Sequence, residues 1–562
     1  MIEYPSLAFR GKKYIANSDK NRKNFDVVFV SGDAYVDHPS FPTAVICRLL
    51  EYLGLSVAII AQPDWNSDDD FKVWGEPNLF FAVTSGAMDS MVANYTSASM
   101  PRSKDRLSPD GMPGLRPKRA LQVYVQKIHQ LFKKSFIIAG GVEASLRRFS
   151  HYDYWENKIK DPILMDAPAN MIVYGMGEAI FPKILYWLKN KKDTFPQIPQ
   201  TLIKVKQDSW RDIIKSNYTI LPSIEKCRND KSVYMELAKV LDICMKPGAD
   251  ILIQQHPKGD VICFPPTAEI FDEEISIMEK LKFNRRSHPI YDKPIPALEP
   301  VQFSVQSHRG CLSACSFCAL SLHQGRIIRS RSKESILQEI KNFTNHPDFK
   351  GIVPDVGGPA VNMYGWKCSI GGCNRRACIY PTICKNLKHS LKPLAEVLKD
   401  ASEIKGIKKV FLGSGLRYDL IRNDEWDTFE YIIFNHVSGQ LKVAPEHFDK
   451  KVLHLMRKGE NADFGIFARK FYDSCHKHNK KLFLVPYLMT AFPGSGEGDK
   501  ILINKVKELH LVHEQIQEFT PTPGSIGTAM YYTEQDFNGN KLWVPKTKTD
   551  RMKTRSKLQK RS

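Results

Sequence analysis

Twice along this chain, short apolar runs alternate with helical patterns, and that double alternation narrows the fold more than any other feature. The runs DVVFVSG, SVAIIAQ, LFFAVTS, SFIIAGG and MIVYG read as buried strands, with TAVICRLLEYLG and RALQVYVQKIHQLFKK as helices between them. Continuous apolar strands joined by helices predict an α/β fold with a doubly wound parallel sheet, whose ligands gather at the C-terminal strand ends. From residue 301 a second series, near QFSVQ, GIVPDV, KKVFLG, QLKVA, KLFLVPY and QIQEF, predicts six βα units. Six such units make a partial (β/α)6 barrel with its active site on the loops that follow the strands. The expected organisation is a doubly wound domain over 1–225, connecting helices, a hairpin and a linker over 226–300, the barrel over 301–535, and a disordered basic tail over 536–562.

The first barrel strand runs directly into HRGCLSACSFCALS, which holds Cys311, Cys315 and Cys318 in the order Cys-x-x-x-Cys-x-x-Cys. Three thiolates in one loop can hold three irons of a 4Fe-4S cubane, whereas a closed zinc or iron site normally takes four protein ligands. The remaining iron is open to the amino and carboxylate groups of S-adenosylmethionine (SAM), and the cofactor then carries the chemistry. Phe317 is placed to stack beside the cluster and the adenine. The plain alternative is a zinc knuckle completed by His308 or His323.

This segment resembles the signature of the radical SAM superfamily, and the rest of the chain resembles its YgiQ family. The likeness is carried by GDAYVDHPSFP (32–42), AQPDW (61–65), GGVEASLRRFSHYDYW (140–155), YGMGE (174–178), DVGGPAVNMYG (355–365), GLRYDL (415–420), KVAPEH (442–447) and TPTPGSIGTAMYYT (520–533). The resemblance implies reductive cleavage of SAM and hydrogen-atom abstraction from a substrate closed in by the N-terminal domain. It also implies an electron donor such as flavodoxin or ferredoxin. A looser likeness of KVAPEH, AFPGS and TPTPGSIGTA to methylthiotransferase barrels makes RNA or a translation component the leading substrate class. A doubly wound domain before such a barrel resembles the cobalamin-binding domain of related enzymes. Those domains place Asp-x-His-x-x-Gly after the first strand, and DAYVDHPSF has Asp33, Asp37 and His38 at another spacing, so cobalamin is not expected. The rival readings are a cobalamin-dependent methyltransferase and a nucleic-acid-binding iron–sulfur sensor without SAM turnover.

Four further positions are candidates for holding SAM. Gly357 and Gly358 would let backbone approach its methionine amino group, against the alternative of an ordinary turn. Glu446 would accept from ribose hydroxyls or the ammonium, or else pair with Lys442 or His447. Arg417 would hold the carboxylate bidentately, or else pair with Asp419. A second group, Cys368, Cys373, Cys378 and Cys384 in KCSIGGCNRRACIYPTIC, reads as metal spacing and leaves structural zinc and an auxiliary 4Fe-4S cluster equally open.

Composition supports a reducing compartment. Seven of the twelve cysteines fall between 311 and 384 in tight groups, unlike a disulfide framework. No apolar run is long enough to span a bilayer and the first residues lack a signal-peptide core, so a cytoplasmic protein without a membrane partner is expected. Lysine and arginine number 81 against 61 acidic residues, a net +20 that invites an anionic partner such as RNA. Residues 545–562 carry eight basic side chains against Asp550, and with no apolar periodicity they read as a disordered solubilising tail or a nucleic-acid arm. Truncation after Trp543 is therefore expected to leave the barrel's chemistry intact.

Overall fold

The computed structural model describes residues 2–190, 194–243, 246–371, 373, 375–459, 463–511 and 515–559. The chain divides into two compact units, Met1–Gln302 and Phe303–Ser562.

In the first unit the five predicted strands are Val27–Ser31, Val57–Ala61, Phe80–Thr84, Ile137–Gly140 and Met171–Val173. All run parallel. Val27–Ser31 is buried at every position and sits between Val57–Ala61 and Phe80–Thr84, which explains why neither face alternates with polar residues. Strand order reverses there, so the crevice beyond Ser31 and Thr84 is the topological switch point of the sheet. The sheet is wider than the sequence pattern suggested. Ser6–Phe9 adds in parallel beside Val57–Ala61, and Lys12–Tyr14 adds beyond it. On the far side come Thr201–Val205, Asp260–Cys263, Ile251–Gln254 and Tyr218–Leu221, completing eleven strands. The hairpin expected within 226–300 forms between Ile251–Gln254 and Asp260–Cys263, and it is part of this sheet.

In the second unit, strand segments pair in parallel in chain order. Val305–Gln306 pairs with Val356–Gly357, and Ile352–Val353 with Lys409–Val410. Leu416 bridges to Val443 in Gln440–Glu446, which pairs with Phe483–Thr490 and that in turn with Gln515–Glu518. Helices cover the outside by amphipathic spacing. Phe464–Lys477 is capped by Asp463, whose side chain accepts from the N–H groups of Gly465 and Ile466. It buries Phe464, Phe467, Ala468, Phe471 and Cys475, one helical stripe, in the unit's core.

The tail is a correction to the sequence reading. Lys548–Gln559 is a helix, not a disordered segment. Leu558 is fully buried in the same core, Arg551 donates to the Phe519 carbonyl, and Thr554 donates to Asp499 at 2.5 Å. Arg555 lies 3.5 Å from Glu518. Before it, Trp543 accepts from the Gly494 N–H at 2.8 Å and Val544 is buried. The final basic residues, Lys560 and Arg561, lie outside the described residues.

Candidate active site: a three-cysteine loop

The loop carrying Cys311, Cys315 and Cys318 is fixed from several directions. It begins at Gly310, whose φ of +79° and position against the Ile327 carbonyl, 1.9 Å from where a Cβ would stand, admit only glycine. The Cys311 N–H donates to Gly325, the Cys318 N–H to Cys315, and the Ser316 N–H to Met456, while Ser316 accepts from the Gly527 N–H at 2.7 Å. Thus TPTPGSIGTA holds the loop through backbone at Gly527. Phe317 meets Phe492 edge-on with centroids 6.4 Å apart, so its ring packs within the same cradle.

Burial pushes the Cys315 and Cys318 thiols up, Cys318 to about 12, and the charge of the neighbouring thiols adds to that push. Lys458 and Arg417 work in the opposite direction at Cys315. Three thiolates held together in a half-buried loop need such positive charge, and these two residues supply it at Cys315. Among the described residues, no three histidine, cysteine or acidic side chains are drawn together tightly enough to share a metal ion.

Arg417 is buried and donates through Nη1 to Ser313 in the cysteine loop at 2.6 Å. Its Nε and Nη2 form the bidentate pair with Asp419. The side chain therefore ties the loop to the strand end. Despite the upward push of burial, Arg417 holds the Asp419 carboxyl below its usual range. Glu446 is partly buried, and its partner is Lys458 at 3.6 Å. Lys442 and His447 are engaged elsewhere, with the Gly413 carbonyl and Asp499. A register shift between Val443 and Glu446, with φ +64° at Glu446, turns that carboxylate from the strand's ordinary alternation. Burial raises its pKa against the pull of Lys458 and Arg417.

Gly357 and Gly358 are required by close approach, and the approaching groups are the protein's own. A Cβ at Gly357 would stand 2.1 Å from Ser414 Oγ, and one at Gly358 2.3 Å from the His308 ring. His308 is buried, its Nδ1 lies 2.9 Å from the Ser307 hydroxyl, and burial pushes its pKa down to about 4. Sequence reasoning missed Lys458, which no motif marks, and Ser313, which lies inside the cysteine motif but is not a ligand type.

The second cysteine group lies on one hairpin-like excursion. Lys367–Cys368 pairs antiparallel with Leu387–Lys388, and the Cys384 N–H donates to Cys378 at 2.7 Å. Cys368 and Cys373 are exposed. Cys378 and Cys384 pack against Leu312, Trp366, Ile379 and Leu387, the small core that also carries Cys311.

In the first unit, the motif residues after the strands are paired with protein. Arg116 reaches Asp33 at 2.7 Å and Asp105 at 3.2 Å. Asp37 pairs with Arg48, and Glu143 accepts from the N–H groups of Ser90 and Leu121. His38 Nδ1 accepts from the Ser40 N–H at 3.0 Å, and its Nε2 lies 2.9 Å from Arg285 Nη1.

A parallel α/β sheet followed by a parallel strand series, with three cysteines on the loop after its first strand, is the layout of the radical SAM class. The Radical SAM N-terminal family matches residues 15–304. A UPF0313 protein of Clostridium botulinum is 43% identical over 97% of this chain and 87% of its own length. Another from Methanosarcina acetivorans is 41% identical over 96% of this chain and 77% of its own. The chain belongs to this UPF0313, or YgiQ, family of radical SAM proteins. Among solved structures, the radical SAM methyltransferase TsrM from Kitasatospora setae, with cobalamin and a 4Fe-4S cluster bound, superposes with a TM-score of 0.52 at 12% identity. That alignment covers 92% of this chain and 83% of TsrM, and it establishes likeness of fold. No helix among the described residues is long and apolar enough to cross a membrane.

Proposed function

We propose that this protein is an iron–sulfur enzyme that cleaves SAM reductively and starts radical chemistry on a substrate of the RNA or translation class. The observation that carries the reading is the three-cysteine loop held at the strand ends with Arg417 and Lys458 beside it. The donor set suits a 4Fe-4S cluster, since three thiolates leave one iron open. When bound, the cluster and SAM supply electron transfer to the sulfonium and the 5′-deoxyadenosyl radical.

The chain's own residues bind, position and compensate charge. Cys311, Cys315 and Cys318 hold iron. Arg417 fixes the loop through Ser313, a narrower role than gripping the SAM carboxylate. Lys458 offsets thiolate charge and keeps Glu446 an acceptor for the ribose or ammonium of SAM. Gly357 and Gly358 let Ser414 and the His308 ring pack against the second strand end, and Phe317 flanks the adenine. A flavodoxin or ferredoxin would deliver the electron.

A test is anaerobic reconstitution with iron and sulfide, then measurement of 5′-deoxyadenosine after dithionite reduction. Turnover in wild type and none in Cys315→Ser is the expected result; equal turnover in the variant would remove the reading, and iron without turnover would favour the sensor alternative. Cobalamin-dependent methyl transfer is a second reading, favoured by the fold shared with cobalamin-bound TsrM, which stands in tension with the sequence expectation against a corrinoid. His38 would not ligate cobalt without leaving Arg285 and Ser40. Corrinoid absorbance in purified or cobalamin-loaded protein decides that point. We further propose that Cys368, Cys373, Cys378 and Cys384 hold zinc or an auxiliary 4Fe-4S cluster.

A further inference from the structure

With Asp33, Asp37, His38 and Glu143 all paired internally, the open space after the first unit's strands is a cleft of about 390 Å³. That lies within the range of small-ligand pockets. Trp65 follows the strand Val57–Ala61, and Tyr95 follows the helix Ser90–Asn94 after Phe80–Thr84. Those strands flank Val27–Ser31, so the cleft adjoins the switch point where ligands of such sheets bind. Buried Arg116 forms its floor, anchored on Asp33, Asp105 and the Ser85 carbonyl. Asn94 braces one wall by donating to the carbonyls of Arg116 and Pro117.

Chemistry at the rim is aromatic and cationic. Arg102 is held by Nε at 3.0 Å from the carbonyls of Val92 and Tyr95. Lys118 lies over the Tyr95 ring at 5.3 Å, and Arg10 stands 6.0 Å from the Trp65 ring. Asp105, the lining carboxylate, is committed to Arg116. Among the described residues Arg102, Lys104 and Lys118 have no acidic partner. A neutral aromatic ligand would leave those cations uncompensated, and an aliphatic acid would leave both rings unused.

We propose that the cleft formed by Trp65, Tyr95, Arg102, Lys104 and Lys118 binds a nucleotide, its base stacked on an aromatic ring and its phosphate on the cations. The source is either a free mononucleotide or a single-stranded RNA segment. The RNA source deepens the proposed substrate class and rests on that reading. Binding is measured without iron or SAM, so failure here is distinguishable from failure of SAM cleavage.

The experiment is fluorescence polarisation of a labelled single-stranded tetraadenylate with the full chain, competed by AMP. Wild type, Trp65→Ala and the double variant Lys104→Ala/Lys118→Ala are compared, with circular dichroism confirming the fold of each. At least a tenfold loss of affinity is expected in both variants. Loss of two phosphate contacts should reduce the log–log salt slope of the double variant by about 1.4, at about 0.7 per contact on a single strand. Competition by AMP at the oligonucleotide's own affinity assigns a free nucleotide, and poor competition assigns RNA. No binding by wild type, or unchanged affinity in folded Trp65→Ala, overturns the proposal.

Discussion

Replacing Leu558 with alanine tests whether the basic C-terminal segment belongs to the fold of the second unit. Leu558 is 0% exposed and packs in the core of that unit, although it lies in a segment whose sequence looks solvated. Truncating a buried leucine costs about 2–5 kcal/mol, the transfer term plus the cavity left behind. A central figure of about 3 kcal/mol, at roughly 2–4 °C per kcal/mol for a domain of this size, lowers the melting midpoint by about 6–12 °C. The matched control is Met552→Ala in the same helix. Met552 is 41% exposed, so its loss should stay within about 0.5 kcal/mol. Both variants and wild type are followed by circular dichroism on heating, without reconstitution, so that cluster loading does not enter. If Leu558→Ala melts with Met552→Ala at the wild-type midpoint, the helix does not dock and the reasoning fails. Deleting residues from 545 onward should cost more than Leu558→Ala, because it also removes the Arg551 bond to Phe519 and leaves Asp499 without Thr554.

The remaining predictions concern charge and metal. Burial raises the Asp33 carboxyl to about 6, so the folded chain keeps a proton there that the unfolded chain releases near 4. In that window the unfolded state binds fewer protons, and stability falls as pH rises, by about 3 kcal/mol at roughly 1.4 kcal/mol per pKa unit. Urea unfolding of wild type and Asp33→Asn at pH 4.5 and 7 should show the steeper fall in wild type, because the other shifted groups titrate alike in both; parallel behaviour would refute it. Lys458→Met should lower iron retained on reconstitution, by iron and sulfide analysis, because Cys315 and Glu446 lose a compensating cation; wild-type loading would dismiss that role. With Cys311, Cys315 and Cys318 all changed to alanine, residual iron with sulfide, or residual zinc, should remain on the second cysteine group. Neither metal remaining would withdraw that site.

The strands of the first sheet were legible because they are buried on both faces, which leaves continuous apolar runs such as VVFVS. The N-terminal strand Ser6–Phe9 was not, since four residues of mixed character carry no periodic signal. The C-terminal helix escaped for a different reason. Among the described side chains its inward positions are Arg551, Thr554 and Leu558, so spacing is helical but two of these three are polar, held by hydrogen bonds to Phe519 and Asp499. A hydrophobicity pattern is blind to a helix that docks through buried polar groups. The site divides along the same line. The cysteine spacing is local chemistry and reads directly, and the Arg417–Asp419 pair is two residues apart. Lys458 follows the helix Lys450–Met456 beyond a left-handed Arg457, and it meets Glu446 because a register shift turns that carboxylate away from its strand neighbours. Neither the bulge nor the turn is written in residue type alone, so the partner of Glu446 had to come from the fold. The same logic explains the glycine pair. Its lack of side chains is legible in sequence, but the groups that demand it, His308 and Ser414, stand on other strand ends and are brought there only by the parallel arrangement.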